Sequence, residues 1–283
     1  MEKNGIITGS TIQMNFDIFG YDALVNLLIS VEAQQIEQVM NCIGRITEVH
    51  AYRQYNNIYN IRAVAILRNL NDLDYVKSAI RRQLPMIAIR TYIWTAVRNI
   101  PENLQIMPIQ KNIEKNDETI EDTIVLSQTE KPKIDELDLQ IVDQLTINGR
   151  MPFSKIAEKL NISTDTVLKR YQKLRKKGAM KVSIQINPNK IGYHAILDFN
   201  IASTSPVNSS TTVGLLSKIP DVIIVTRTSG DYDLQLTAMI RDVEQFFRLQ
   251  EEIARTPGVT KIETSARKIP CNWPTQRQHI STF

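Results

Sequence analysis

The feature that most constrains this chain is an internal repeat. The opening stretch KNGIITGSTIQMNFDIFGY (residues 3–21) is matched by KKGAMKVSIQINPNKIGY (residues 176–193) with a single one-residue gap. Gly5 falls on Gly178, Ile12-Gln13 on Ile184-Gln185, Asn15 on Asn187, and Gly20-Tyr21 on Gly192-Tyr193. Farther on, ITEV at 46–49 matches IPDV at 219–222, and YNIRAVAILRNL matches YDLQLTAMIRDV. A register held over that distance points to one folding unit used twice.

Both copies alternate between strand and helix periodicity. In the second, an extended run ends in GYHAILDFNIAS, and a helix is expected around VGLLSKI. The strands VIIVTRT and YDLQLTAMI follow, joined by a tight SGD turn. Val243, Phe246, Phe247, Leu249 and Ile253 then have helical spacing, before a last strand VTKIETSAR. The order βαββαβ predicts an α+β class of ferredoxin-like units, an antiparallel sheet with helices on one face. The Met, Leu and aromatic residues of these units are expected core.

Residues 101–133 are polar and charged without a sustained period, as expected of a linker. After them come three helical patterns in quick succession. Asp135 is placed to cap the first, with Asp138 three residues on. Leu137, Ile141, Val142 and Leu145 form its apolar stripe, and Gly149 is its expected stop. Pro152 suits a first helical turn, FSKIAEKL makes a short second helix, and Asn161 tolerates a left-handed turn. Ser163 caps a third helix whose inward stripe is Val167, Tyr171 and Leu174.

That third helix is strongly basic. Residues 163–181 hold seven Lys/Arg against one acid, Asp165, so their net +6 exceeds the +4 of the whole 283-residue chain. A short helix, a tight turn and a basic helix are the parts of a helix-turn-helix, in which the last helix enters the major groove. Ser163, Thr164, Thr166, Lys169 and Arg170 are then candidates for base edges or phosphates, and Lys173, Lys176 and Lys177 for phosphates.

No catalytic or metal pattern accompanies these motifs. The two cysteines (Cys42, Cys271) and three histidines (His50, His194, His279) are scattered, without ligand spacing. The cysteines are expected to be free thiols in a reducing compartment. No apolar run reaches the ~18 residues of a membrane helix. The expectation is a cytoplasmic, non-enzymatic chain that needs no cofactor and no membrane.

Residues 135–178 resemble the winged helix-turn-helix of the Lrp/AsnC (leucine-responsive, feast/famine) regulators. The likeness is carried by Leu137-Asp138, the NGR at 148–150, the IAEKL helix, Ser163, Val167, Arg170, Leu174 and Gly178. The family's effector domain, called RAM, begins with a strand and a step like Gly192-Tyr193, and has a turn like Gly230-Asp231-Tyr232-Asp233. The resemblance implies a first RAM-like domain at 1–99, a linker at 100–133, a winged helix-turn-helix at 134–182 and a second RAM-like domain at 183–283. It implies a sequence-specific regulator that binds double-stranded DNA and forms homo-oligomers through its sheets. An amino-acid-like effector would sit near Thr228, Gly230, Asp231 and Tyr232. The first copy has NNIYN where the second has SGDYD, so it is expected to lack such a site.

EKNGII at the start resembles the junction between recognition helix and effector domain. The first copy is therefore expected to be an effector unit without its own reader, through loss or through a start codon placed too far downstream. Two rival readings remain. One is an adaptor or ligand sensor that has stopped reading DNA and pairs with paralogous regulators. The other is an enzyme similar to the sirohaem decarboxylases, which share this architecture.

Overall fold

The computed structural model describes residues 1–82, 87–99, 104, 134–204 and 209–275. The expected linker at 101–133 lies outside the described residues except for Leu104.

Strand β1 (Ile7–Met14) is followed by β2 (Ala23–Ser30), α1 (Ile36–Ile43), β3 (Val49–Gln54), β4 (Ile61–Leu67), α2 (Asp72–Arg81) and β5 (Ala88–Asn99). Three helices come next, α3 (Glu136–Ile147), α4 (Phe153–Leu160) and α5 (Thr164–Lys176), then β6 (Met180–Ile186). The chain continues with β7 (Ala195–Ser203), α6 (Ser209–Leu216), β8 (Val222–Ser229), β9 (Leu234–Ile240), α7 (Val243–Arg255) and β10 (Val259–Lys268).

Eight of the strands form one antiparallel sheet in the order β10-β7-β9-β8-β5-β2-β4-β3. Each half of the chain supplies four neighbouring strands, and both quartets run fourth, first, third, second in their own chain order. They join where β5 pairs with β8, from Ile93 opposite Ser229 to Asn99 opposite Ile224. The remaining strands, β1 and β6, pair with each other in a separate two-stranded ribbon.

Side-chain alternation at period 2 sorts each strand's residues onto two faces. Ala23, Val25, Leu27 and Ile29 of β2 join Ala63, Ala65 and Leu67 of β4 beneath Val39 and Ile43 of α1 and Val76 and Ile80 of α2. In the second half Leu197, Phe199 and Ile201 of β7 join Leu234, Leu236 and Ala238 of β9 beneath Leu249 and Ile253 of α7. Asp242 caps α7, its side chain accepting from the Gln245 amide.

The opposite faces carry polar residues at their centres. These are Asn26 on β2, Arg62 on β4, Asp198 and Asn200 on β7, and Gln235 and Thr237 on β9, none more than 8% exposed. They are dry because the sheet curls back and lays one half on the other. Asn26 Nδ2 donates to Gln235 Oε1 at 3.0 Å, although β5 and β8 stand between their strands in the sheet. Gln235 Nε2 in turn donates to Asn200 Oδ1 at 3.0 Å.

Asp198 is the centre of this layer. Its carboxylate meets Arg62 from the first half at 3.3 Å and Arg267 of β10 at 3.2 Å. Tyr55 Oη donates to it at 2.7 Å and Thr237 Oγ1 at 2.5 Å. Burial by itself would raise its pKa, but the two guanidiniums and two hydroxyl donors outweigh burial and hold the group below the ordinary carboxylate range. Burial pushes the Tyr55 phenol up to about 12, with Arg62 and Arg267 opposing the rise and the Asp198 carboxylate adding to it.

Asp198→Asn would leave Arg62 and Arg267 buried without a carboxylate. A loss of roughly 3–5 kcal/mol is expected in urea unfolding. The pKa is depressed in the folded state, so the wild-type contribution is complete above the unfolded value of about 3.9 and is lost as pH falls below it. Acid titration should therefore narrow the gap between wild type and variant below about pH 4.

Candidate nucleic-acid interface

The basic helix is built as its sequence requires at both ends. Asp135 Oδ1 accepts from the Asp138 amide at 2.9 Å and the Asp138 side chain reaches back to the Asp135 amide, a reciprocal cap for α3. Asn161 ends α4 in the left-handed conformation, at φ 53°. Ser163 caps α5, its Oγ accepting from the Thr166 amide at 3.1 Å. Val167 and Leu174 are fully buried against α3 and α4, and Tyr171 packs on Phe153 with ring centroids 4.9 Å apart.

The expected stop at Gly149 has a different role. Helix α3 ends at Ile147, and the chain at Gly149 passes against β1. A Cβ there would lie 2.6 Å from the carbonyl oxygen of Thr11. The Gly149 amide donates to Ser10 O at 3.1 Å, Ser10 Oγ to Asn148 Oδ1 at 2.9 Å, and Thr11 Oγ1 to Thr146 O at 2.9 Å. Ile12, Met14, Phe16, Phe19, Tyr21, Leu24 and Ile66 complete the core of the three-helix unit. The three-helix unit is thus seated on the first half of the chain through α3, and β1 from that half completes the ribbon with β6.

The structure separates the eight predicted DNA-contact residues into three sets. Thr164, Lys169, Lys176 and Lys177 are exposed on α5 and its end. Lys169 is within 2.8 Å of Asp165 one turn earlier, a pair open to solvent on both sides. Ser163 and Thr166 lie at the start of the helix, their hydroxyls 2.8 Å apart. Arg170 and Lys173 instead turn toward α3. Arg170 Nη1 is 2.6 Å from Asp135 and 2.9 Å from Asp138, and Lys173 Nζ is 3.3 Å from Asp138. The Asp138 carboxylate is wholly buried, so these cations neutralise a charge inside the unit. The hydrogen bond from Arg170 also draws the Asp135 pKa down.

Sequence reasoning passed over Leu168, Gln172 and Arg175, which are exposed on the face that carries Lys169 and Lys176. Their signal was the spacing 164, 168, 172, 175, one residue per turn along the flank of the inward stripe of Val167, Tyr171 and Leu174. An exposed leucine in that row offers an apolar contact suited to a thymine methyl, and a glutamine suits adenine.

The four residues expected around an effector lie at the β5–β8 seam. Thr228 Oγ1 donates to Tyr232 O at 2.7 Å, and Tyr232 Oη to Glu263 at 2.8 Å. Asp231 faces Arg90 Nε of the first half at 3.2 Å. Gly230 has φ 148°, and a Cβ there would meet the Tyr92 ring at 2.7 Å. The turn is thus filled by first-half side chains. A recess of about 750 Å³, lined by Gln38, Arg45, Tyr75 and Arg82 among others, lies elsewhere, between α1 and α2.

Among the described residues, no group of three or more His, Cys, Asp or Glu could hold a metal ion. No described helix is long and apolar enough to cross a membrane.

A capped tri-helical unit with a basic outward face defines a helix-turn-helix DNA-binding protein. Residues 134–175 match the AsnC-type helix-turn-helix domain, and residues 194–266 match the Lrp/AsnC ligand binding domain. The chain is 31% identical over 144 residues to an uncharacterized HTH-type transcriptional regulator of Pyrococcus horikoshii, covering 50% of this chain and 90% of that protein. It is 33% identical over 131 residues to the transcriptional regulator LrpA of the same organism, covering 46% of this chain and 92% of LrpA. The chain belongs to the Lrp/AsnC family of DNA-binding transcriptional regulators. Among solved structures, the sirohaem decarboxylase NirDL matches 97% of this chain and 82% of its own, with TM-score 0.64 and 14% identity. At that identity the likeness shows the fold alone.

Three substitutions separate support from contact. Gly149→Ala should cost about 1–3 kcal/mol, since a backbone oxygen cannot give way as a side chain can. Arg170→Met should cost about 2 kcal/mol by leaving Asp138 one cation short. Lys169→Ala, on the open face, should leave the urea midpoint where it is in wild type.

Proposed function

We propose that the chain is a doubled Lrp/AsnC-type regulator that carries one reader. Two ferredoxin-like RAM-type domains, at 1–99 and 183–283, pair within the chain through their polar sheet faces. A linker at 100–133 connects the first to a winged helix-turn-helix at 134–182. What supports the doubling is that both quartets share one strand order and that the sequence repeat maps each onto the other.

The observation that carries the DNA-reading role is the open face of α5, where Thr164, Leu168, Lys169, Gln172, Arg175 and Lys176 are exposed together. Base edges fall to Thr164, Leu168, Lys169 and Gln172, near the helix N-terminus and middle. Phosphates fall to Arg175, Lys176 and Lys177. Ser163 and Thr166 set the start of the helix. Arg170 and Lys173 act through α3, holding the reader's shape, and contribute long-range positive potential.

With one reader per chain, a two-fold operator requires two chains, with half-sites about one helical turn apart or a multiple of it. The protein acts in the cytoplasm without catalysis, and an amino-acid-like effector acts at the seam. There Thr228, Gly230, Asp231 and Tyr232 meet Tyr92 and Arg90, and a ligand would have to displace those first-half side chains. Such a ligand would shift DNA affinity by its preference for one arrangement of the seam.

Titration against promoter DNA at several salt concentrations tests the role. Log K should fall with log salt by about 0.9 per neutralised phosphate. Lys176→Ala with Lys177→Ala should flatten that slope by about 2 on the same basis. Leu168→Ala should leave the slope intact and lower discrimination between operator and random DNA. A chain that is folded yet binds no duplex at low salt would exclude direct reading and favour the adaptor.

A further inference from the structure

The last described residues follow an unusual path. After β10 the chain leaves the second half at Ile269, which is buried with Tyr193, Ile196, Ile223 and Met239. At Trp273 it pairs with Ile186, the last residue of β6, through two backbone hydrogen bonds of 2.9 Å. The Trp273 side chain packs on the same apolar cluster, together with Leu104. Gln185, 1% exposed, donates its Nε2 to Pro274 O at 2.8 Å. Two residues beyond Trp273, Thr275 Oγ1 accepts from Arg53 Nη2 of β3 at 3.3 Å.

Residues 269–275 therefore touch three bodies in seven positions: the second half, the ribbon strand behind the recognition helix, and the first half. The ribbon needs such a tie. It has only two strands, a size that is marginal without added packing. The outer side of β1 is already held by the Gly149 amide, which donates to Ser10 O at 3.1 Å, and the β1–β6 pairing is extended at its two ends by the Asn187 amide donating to Ile6 O at 2.8 Å and the Asn15 amide to Ala179 O at 2.9 Å. Trp273 adds a partner on the open edge of β6, at the end nearest the second half.

We infer that residues 269–275 are a strap that fixes the angle of the ribbon, and through it the angle of α5, against the paired halves, with Trp273 and Gln185 as its positioning residues. The strap touches no DNA-facing residue of α5. Its effect is on how two readers are spaced when two chains sit on one operator, because a fixed angle lets both engage at one separation only. The inference rests on the DNA-reading role proposed above, and one of its two tests does not depend on that role.

The first test is amide hydrogen exchange in full-length wild type, Trp273→Ala, Trp273→Phe and Gln185→Ala. Trp273→Ala should raise exchange in β1 and β6 about tenfold while α1, α2 and α7 stay unchanged, and Trp273→Phe should restore most of the protection. Ribbon exchange equal to wild type in Trp273→Ala would overturn the strap.

The second test compares affinity for operators whose half-sites lie one helical turn apart or half a turn off. The wild-type preference, about tenfold or more, should fall to within about threefold in Trp273→Ala and Gln185→Ala, with single half-site affinity unchanged. A merely structural role would lower the melting temperature and leave that ratio alone, and an unchanged ratio beside a loosened ribbon would overturn the positioning role. A wild-type chain that bound no DNA would remove the reader instead, and the exchange result would still decide the strap.

Discussion

The buried carboxylate of Asp198 is the constraint on which the rest of the structure depends. A charge removed from water is tolerated only where partners replace the lost hydration, and half of those partners come from the other half of the chain. Arg62 and Tyr55 cross from the first half, while Arg267 and Thr237 come from the second. Neither quartet could bury its polar centre alone. Facing each other, they turn two amphipathic sheets into one body with helices on the outside. The neighbouring chain of amides, Asn26 to Gln235 to Asn200, extends the same logic without charge.

That pairing also places the reader. Once the halves are locked, β1 of the first and β6 of the second lie side by side, and the three helices close over β1. Helix α5 continues into β6 in sequence and reaches the first half through α3, which packs on β1. The internal ion cluster of Asp135, Asp138, Arg170 and Lys173 then sets α5 against α3. The open row from Thr164 to Lys176 is the surface proposed above to meet DNA.

Much of this was legible in the sequence, and the exceptions share a cause. Period 2 and period 3.6 located the helix on Val243, Leu249 and Ile253, and Asp135, Asn161 and Ser163 marked turns and caps where they occur. Long-range partners were not legible. The burial of Asn26, Arg62 and Asp198 is one case, because nothing in one strand's alternation reveals that a second sheet covers it. Arg170 read as a DNA contact because its acids lie 32 and 35 residues upstream. Gly149 read as a helix stop because the approach of Thr11, far off in sequence, cannot be seen locally. The expected effector turn was found as a turn, but its filling by Tyr92 and Arg90 of the other half was not.

We propose that α5, on the three-helix unit that α3 seats on β1, is the surface that meets DNA. Amide hydrogen exchange with and without saturating promoter DNA tests it most directly, because it maps protection along the whole chain without substitutions. New protection should centre on α5 and the adjoining β1–β6 ribbon, with α1, α2 and α7 unchanged. Protection centred on the outer helices, or none along α5 while DNA is bound, would contradict it.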